Sequence, residues 1–253
     1  MRLVAAETSI TSSSGPTSVS GGGKTSHRSL IASRGSIRTY PLGYLGCASH
    51  HNLLWCHYMF TGIIRHLGTV TDLATKEDGT YLTIKTSLAS DVAEGDSVAV
   101  NGTCLTVLQH TANAIDFRLM QETLDKTSLG QATKDSVLNL ERPVAAGEHF
   151  DGHFVLGHVD GVAEVTAITA AGDDRIFTLK PAPGTLRYFI PKGSVSLDGI
   201  SLTVVDVTDE TFTVSMMPYT LEHTNFGSVQ VGYRANVEID MIAKHVERLV
   251  AAR

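Results

Sequence analysis

The chain has 253 residues, 42% hydrophobic and 18% charged, which is enough for one large or two small domains with apolar cores. Its formal net charge of −6 argues against a nucleic-acid partner, because such partners favour basic surfaces. No run approaches the roughly 20 apolar residues of a membrane span. Cys47, Cys56 and Cys104 show neither metal-ligand spacing nor a disulfide framework, so we expect a reducing, cytoplasmic location.

Residues 1–58 differ in composition from the rest of the chain. They are rich in Ser, Gly and Thr and contain five basic residues but only one acid, Glu7. Such a segment buries too little apolar surface to offset its ordering entropy, so we predict disorder. An Arg-rich, Ser-rich, acid-poor composition resembles an organelle-targeting peptide. The interpretation that we favour is an upstream extension from a misplaced start codon, with Met59 as the true first residue.

An internal repeat organises the remaining chain. Residues 97–107 (SVAVNGTCLTV) and 194–204 (SVSLDGISLTV) are identical at six of eleven positions, at an offset of 97 residues. The same offset links further identical pairs: Met120 and Met217, Asn139 and Asn236, Glu141 and Glu238. A repeat of this length has the size of a small domain. We therefore predict two homologous domains and a C-terminal helix, at residues 59–147, 148–240 and 241–253.

Each half of the repeat contains about six short segments separated by turn residues. In the first half, TYLTIKTS and IDFRLM alternate apolar with polar residues, which is the period of a half-buried strand. Six strands of this length favour a small closed barrel, since closure removes exposed edges. The sequence therefore predicts an all-β protein with two barrels.

Three segments outside the strands have a helical pattern. Residues 122–130 and 219–227 are predicted as short helices that end at Gly130 and Gly227 in left-handed caps. In the tail, one face carries a stripe of four apolar residues: Ile242, Val246, Leu249 and Val250. This helix either folds onto its own barrels or, in the interpretation that we favour, pairs with copies of itself.

Several motifs as a set resemble riboflavin synthase of the type with two lumazine-binding repeats. Besides the repeat itself, they are MFTGI at Met59, GHFVLGHVDG at Gly152 and PKGSVSLDGISLTV at Pro191. The resemblance covers essentially all of residues 59–253. It implies two tandem six-stranded Greek-key barrels that bind ribityllumazine, and a homotrimer held by the C-terminal helices. Each active site would lie between the N-terminal barrel of one subunit and the C-terminal barrel of another.

The resemblance also implies a reaction. Such enzymes transfer a four-carbon unit between two molecules of 6,7-dimethyl-8-ribityllumazine, giving riboflavin and 5-amino-6-(D-ribitylamino)uracil. They need no cofactor and no metal, because the substrate heterocycle is itself activated. An association with a lumazine synthase stays open.

The first half-site that the resemblance implies is centred on Cys104. This residue is a candidate nucleophile, a polar wall of the pocket, or a small buried hydrophobe. Phe60 resembles the aromatic residue that contacts the heterocycle. The other substrate-binding residues assigned near this barrel are Thr61, Gly62, Ser97, Gly102 and Thr106.

In the second half-site, we expect the Ser201 hydroxyl and the Asp198 carboxylate to form a pair that shuttles a proton or activates water. Lys192 either stabilises anionic charge on the pyrimidinedione or is a solvated turn residue. His158 is expected to be a base or an organiser of the first strand, whereas His153 is more typical of a structural hydrogen bond. The remaining substrate-binding residues are Gly199, Thr203 and Asp240, the last of which could equally cap the C-terminal helix.

Two other functions fit the sequence less well. A non-catalytic lumazine-binding antenna shares the fold but typically loses residues of the second site, whereas this chain keeps Lys192, Asp198, Ser201 and Cys104. A flavin-handling oxidoreductase would add a nicotinamide-binding domain, and no G-x-G-x-x-G motif follows a strand here. The sequence therefore favours the enzyme.

Overall fold

Segments of alternating apolar and polar residues form strands that close into two β-barrels. The computed structural model describes residues 59–251. The predictions for residues 1–58 and for the last two residues lie outside this range. Every strand pair in the described range is antiparallel, and each barrel contains six strands. The predicted pair of closed six-stranded barrels is confirmed.

The strands of the N-terminal barrel are β1 His66–Lys76, β2 Gly79–Lys85, β3 Ser97–Val100, β4 Thr103–His110, β5 Ala114–Leu119 and β6 Val137–Glu141. They close in the order β1-β2-β5-β4-β3-β6. This order is that of a Greek key, because β3, β4 and β5 form consecutive hairpins and β2 lies beside β5.

The strands of the C-terminal barrel are β7 Gly161–Ala171, β8 Asp174–Pro181, β9 Ser194–Leu197, β10 Ile200–Val207, β11 Phe212–Met216 and β12 Arg234–Ile239. They repeat the arrangement of the first barrel with equivalent neighbours, in the order β7-β8-β11-β10-β9-β12. Register shifts also recur at equivalent places, at Val70 and Val107 in one barrel and at Val165 and Val204 in the other. Such bulges bend a strand and so help a small sheet to close.

Each barrel encloses its own apolar core. The N-terminal core includes the fully buried Phe117 and Leu140, and the C-terminal core includes Phe177 and Phe212. A small third cluster consists of Phe60, Ala99 and Val155, with Cys104 packed against it. The chain therefore buries apolar surface inside each barrel. It also buries apolar surface between the two segments that precede the barrels, where Phe60 and Val155 lie.

The predicted short helices exist, but their ends are not as predicted. Helix α1 spans Gln121–Lys126 and α2 spans Pro218–His223, and each is followed by a 3₁₀ turn. Gly130 and Gly227 lie inside these turns and not at left-handed caps, so that detail of the prediction was wrong. The Thr127 and Thr224 hydroxyls cap the turns instead, by accepting from the amides two residues ahead. The 3₁₀ helices are Ser87–Asp91, Ser128–Gln131, Leu186–Tyr188 and Asn225–Ser228.

Helix α3, Met241–Ala251, lies on the C-terminal barrel. Asp240 caps it, because its carboxylate accepts from the Ile242 amide at 2.9 Å. Ala243 packs against the barrel core, and Lys244 forms an ion pair of 2.7 Å with Asp160. The four residues of the predicted apolar stripe stay more than half exposed. No helix within residues 59–251 combines the length and the apolar character needed to cross a membrane.

Candidate functional site

The segments that lead into the two barrels pair with each other. Phe60 and Val155 form an isolated antiparallel bridge, in which each amide donates to the other residue's carbonyl at 2.9 and 3.2 Å. These two residues are equivalent in the repeat, since GIIRHLGTV from Gly62 aligns with GHVDGVAEV from Gly157. The bridge therefore lies on a pseudo-twofold axis between the barrels.

Beyond this bridge, each entry segment contacts the barrel that it does not belong to. The carbonyl of Gly62, which precedes the N-terminal barrel, accepts from the Ser201 amide of the C-terminal barrel at 2.8 Å. Its counterpart Gly157 accepts from the Cys104 amide of the N-terminal barrel at 2.9 Å. The two principal candidate residues, Cys104 and Ser201, are thus held at equivalent places by crossing segments.

The half-site on the N-terminal barrel contains a protonated thiol. Cys104 is the second residue of β4 and lies opposite Ala99 of β3. Burial raises the pKa of its thiol, although a hydrogen bond with Ser97 opposes this shift. The charge of Glu238 raises the pKa of the thiol further. A thiol in this state is a poor nucleophile at neutral pH, so the geometry favours Cys104 as a polar pocket wall. Thr106 lies opposite Ser97 with its side chain exposed.

The half-site on the C-terminal barrel contains a hydroxyl–imidazole pair that sequence reasoning missed. The Nδ1 atom of His153 lies 2.7 Å from the Oγ atom of Ser201. Burial lowers the pKa of His153 and the charge of Asp240 opposes this shift, so the imidazole is neutral and able to accept a proton near pH 7. Thr203, two residues after Ser201, is exposed. The sequence indicated a structural hydrogen bond for His153, but it did not identify Ser201 as the partner.

Asp198 does not pair with Ser201, contrary to our expectation. It is fully buried between the barrels, and its Oδ1 atom accepts from the Asn236 amide at 2.7 Å. The Oδ2 atom accepts from Asn225 at 2.9 Å and from the Tyr233 hydroxyl at 2.7 Å. Burial raises the pKa of Asp198 to about 6 despite these hydrogen bonds. Its position indicates that it holds the junction between the barrels and does not face a substrate.

The junction also contains two glycines that were predicted to bind substrate. Gly102 and Gly199 have φ of 73° and 82°, and their backbones touch across the pseudo-twofold axis. Asn139 and Asn236 bind across the same junction, since their side-chain amides donate to the carbonyls of Asp198 and Asn101 at 3.0 and 2.8 Å. Such a dense network holds the two barrels together.

Of the other residues that were predicted to belong to the site, some are buried and some are exposed. Phe60 is fully buried against Ala99 and Val155, so its ring supports the Cys104 wall from behind. Thr61 is buried as well. Lys192 and His158 are exposed, and the Lys192 backbone has φ of 70° and donates to Val204 at 2.8 Å. No group of three or more His, Cys, Asp or Glu side chains within residues 59–251 is arranged to hold a metal ion.

Comparisons with known proteins agree with this architecture. The model of the family described as "Lumazine binding domain" matches residues 61–143 and 156–240, one match for each barrel. A riboflavin synthase of Actinobacillus pleuropneumoniae is 44% identical over 193 residues, covering 76% of this chain and 90% of the relative. The chain belongs to the riboflavin synthase family.

Another member of the riboflavin synthase family matches nearly the same share of this chain. The Schizosaccharomyces pombe riboflavin synthase is 40% identical over 197 residues, covering 77% of this chain and 95% of the relative. Among solved structures, LumP complexed with riboflavin has a TM-score of 0.66 and 23% identity, covering 72% of this chain and 99% of that one. LumP complexed with 6,7-dimethyl-8-(1'-D-ribityl) lumazine has a TM-score of 0.65. These two structures confirm the fold alone.

The protonated state of Cys104 leads to a prediction about its substitution. We expect Cys104→Ser to keep turnover of ribityllumazine within about threefold of the unsubstituted chain, because a hydroxyl replaces the thiol as a polar wall. Steady-state kinetics at neutral pH would measure the effect. A nucleophilic thiolate would instead make turnover fall by orders of magnitude on this substitution.

Proposed function

We propose that this chain is a riboflavin synthase, a transferase that moves a four-carbon unit between two molecules of 6,7-dimethyl-8-ribityllumazine. The products are riboflavin and 5-amino-6-(D-ribitylamino)uracil. The observation that carries the proposal is the pair of equivalent but chemically different half-sites, Cys104 with Ser97 and Ser201 with His153. A reaction that consumes two like molecules in different roles needs two related pockets that are not identical.

Placement supplies most of the acceleration in this proposal. Two bound heterocycles react as if in one molecule, which replaces the slow encounter of dilute substrates. The chemistry is that of an acidic methyl group on one lumazine and of nucleophilic addition to a ring carbon of the other. We assign the proton transfers to the C-terminal half-site, because the neutral His153 can accept a proton through the Ser201 hydroxyl.

The surface residues complete each pocket in this proposal. The exposed Thr106 and Thr203 hydroxyls occupy equivalent strand positions and are suited to hydrogen-bond a polyhydroxy ribityl chain. Lys192 would stabilise anionic charge on the pyrimidinedione, and the exposed His158 would face the substrate from the crossing segment. Phe60 and Asp198 support these walls from inside. No cofactor or metal takes part in the proposed reaction.

We also propose a homotrimer formed through α3. The exposed stripe of Ile242, Val246, Leu249 and Val250 is supported as a contact surface because the opposite side of the helix already packs on its own barrel. Each active site would then lie between the N-terminal barrel of one subunit and the C-terminal barrel of another. The proposal places the enzyme in the cytoplasm, and an association with a lumazine synthase is a further expectation.

A turnover assay with purified residues 59–253 tests the function. Mixing the protein with 6,7-dimethyl-8-ribityllumazine should yield riboflavin, detected by its absorbance, and one pyrimidine product for each riboflavin. The mass of the protein in solution should be three times that of one chain. Retention of bound lumazine without turnover would identify an antenna protein of the same fold and would reject the enzyme.

A further inference from the structure

Two buried glutamates occupy the same place in the two barrels. Glu141 ends β6 and Glu238 lies near the end of β12, and their residues are only 5% and 4% exposed. A buried carboxylate is costly unless donors surround it. Neither glutamate belongs to the catalytic groups proposed above. Their equivalent positions in the two barrels therefore indicate a role other than catalysis.

Glu141 holds the segment that leads into its own barrel. Its Oε1 atom accepts from the Thr61 amide at 2.7 Å and from the Thr61 hydroxyl at 2.8 Å. Its Oε2 atom accepts from the Gly62 amide at 3.0 Å. Three donors therefore converge on one carboxylate, just where the chain turns towards the other barrel.

Glu238 does the same for the second segment. Its Oε1 atom accepts from the Leu156 amide at 2.6 Å. Its Oε2 atom accepts from the amides of Gly157 and His158 at 2.8 and 3.0 Å. The two glutamates thus bind equivalent stretches of backbone with three hydrogen bonds each.

The anchored segments end on the opposite barrels. Glu141 of the N-terminal barrel fixes Gly62, whose carbonyl accepts from the Ser201 amide of the C-terminal barrel. Glu238 of the C-terminal barrel fixes Gly157, whose carbonyl accepts from the Cys104 amide of the N-terminal barrel. Each glutamate is therefore two hydrogen bonds away from the candidate residue of the other barrel.

Only an ionised carboxylate satisfies these donors. A carboxylate offers acceptor positions on both oxygens, whereas a glutamine of the same size has one acceptor oxygen and presents N–H groups on the other side. Burial raises the pKa of both glutamates, and the hydrogen bonds from the segments oppose this shift. The arrangement needs all three donors to offset the cost of removing the charge from water.

We propose that Glu141 and Glu238 are crossed positioning residues. Glu141 of the N-terminal barrel sets the half-site of Ser201, and Glu238 of the C-terminal barrel sets the half-site of Cys104. The consequence for activity rests on the proposed function, whereas the crossed positioning itself does not. One barrel cannot lose its glutamate without loosening the other barrel's pocket, so the two half-sites are assembled together.

Amide hydrogen exchange tests the crossing without any ligand. In Glu141→Gln, the Ser201 amide should exchange about tenfold faster or more, while the Cys104 amide keeps its rate, because only one hydrogen-bonded anchor is lost. Glu238→Gln should give the opposite pattern. Glu164→Gln, at an exposed position of β7, is the matched control and should change neither amide.

An uncrossed pattern, or equal acceleration of both amides in folded protein, would overturn the proposal. If the glutamine variants unfold, Glu141→Asp and Glu238→Asp decide, since they keep the charge but shorten its reach. The aspartate variants should show the same crossed pattern with a smaller acceleration, and its absence would again reject the crossing.

Kinetics then separate positioning from general damage. In both glutamine variants, kcat should fall about tenfold or more while KM stays within about threefold. Displacing a pocket wall shifts one bound heterocycle relative to the other, which costs the chemical step more than binding. A change confined to KM would argue against positioning. If the unsubstituted chain shows no turnover, the proposed function fails, but the exchange experiment still decides the crossing.

Discussion

Replacing Gly102 with alanine is expected to destabilise the folded chain by roughly 3–5 kcal/mol. A Cβ atom at this position would lie 2.6 Å from the backbone nitrogen of Gly199 and 2.9 Å from its Cα atom. Neither atom belongs to a flexible side chain, so the barrels themselves would have to separate. The positive φ of 73° adds strain of about 1 kcal/mol for a residue with a side chain.

Urea unfolding followed by circular dichroism would measure this loss. Gly172→Ala is the matched control, because Gly172 has a similar φ of 64° but no atom within 4 Å of the added Cβ. It should lose only the backbone strain of about 1 kcal/mol. Equal losses in the two variants would show that the contact between the barrels at Gly102 contributes little.

Much of the fold was predictable because its two barrels are copies of one sequence repeat. The pairs at an offset of 97 residues revealed the two barrels, since residues 97–107 and 194–204 form the same β3–β4 and β9–β10 hairpins. Alternation also located β2 and β5 correctly. Helix ends were less accurate, because a threonine hydroxyl caps the turn where glycine was expected to end the helix.

The candidate site was only partly predictable. Cys104 and Ser201 were predicted from the resemblance, and they occupy equivalent positions in the two copies of the repeat. Their actual partners come from segments that cross between the barrels, and pairing across such a distance leaves no periodic signal in the sequence. One signal was present but was not used: Asn139 and Glu141 recur as Asn236 and Glu238, at the junction and at the anchors.

Asp198 was predicted to pair with Ser201, but in the structure its carboxylate belongs to the junction between the barrels. Its counterpart is Asn101, whose Oδ1 atom accepts from the Asn139 amide at 2.7 Å. The residues equivalent to Asn225 and Tyr233 in the N-terminal barrel are Ser128 and Ser136. The carboxylate and its two additional donors therefore occur together in one barrel. This coincidence of three differences indicates a local network and explains why the charge is tolerated.

Asp198→Ala should accordingly destabilise the chain by roughly 3–5 kcal/mol, because it removes the acceptor of three hydrogen bonds, from Asn236, Asn225 and Tyr233. Asp198→Asn should cost less, since its amide oxygen can still accept from the Asn236 amide as Asn101 does in the other barrel. Urea midpoints at pH 7.5 would rank the two variants. An alanine variant as stable as the asparagine variant would show that these hydrogen bonds add little.

The size of the asparagine effect should depend on pH. The folded pKa of Asp198, about 6, lies above its ordinary value of 3.8, so the folded chain binds the proton more tightly than the unfolded chain. The resulting stability is complete below pH 3.8 and is lost as the pH rises through 6. Between pH 7.5 and pH 5, the unsubstituted chain should therefore gain about 1.4 kcal/mol relative to Asp198→Asn. Other titrating groups, including Glu141 and Glu238, are common to both chains and cancel in this difference. A difference that stays constant with pH would mean that the carboxyl ionises as it does in water, and that burial does not raise its pKa.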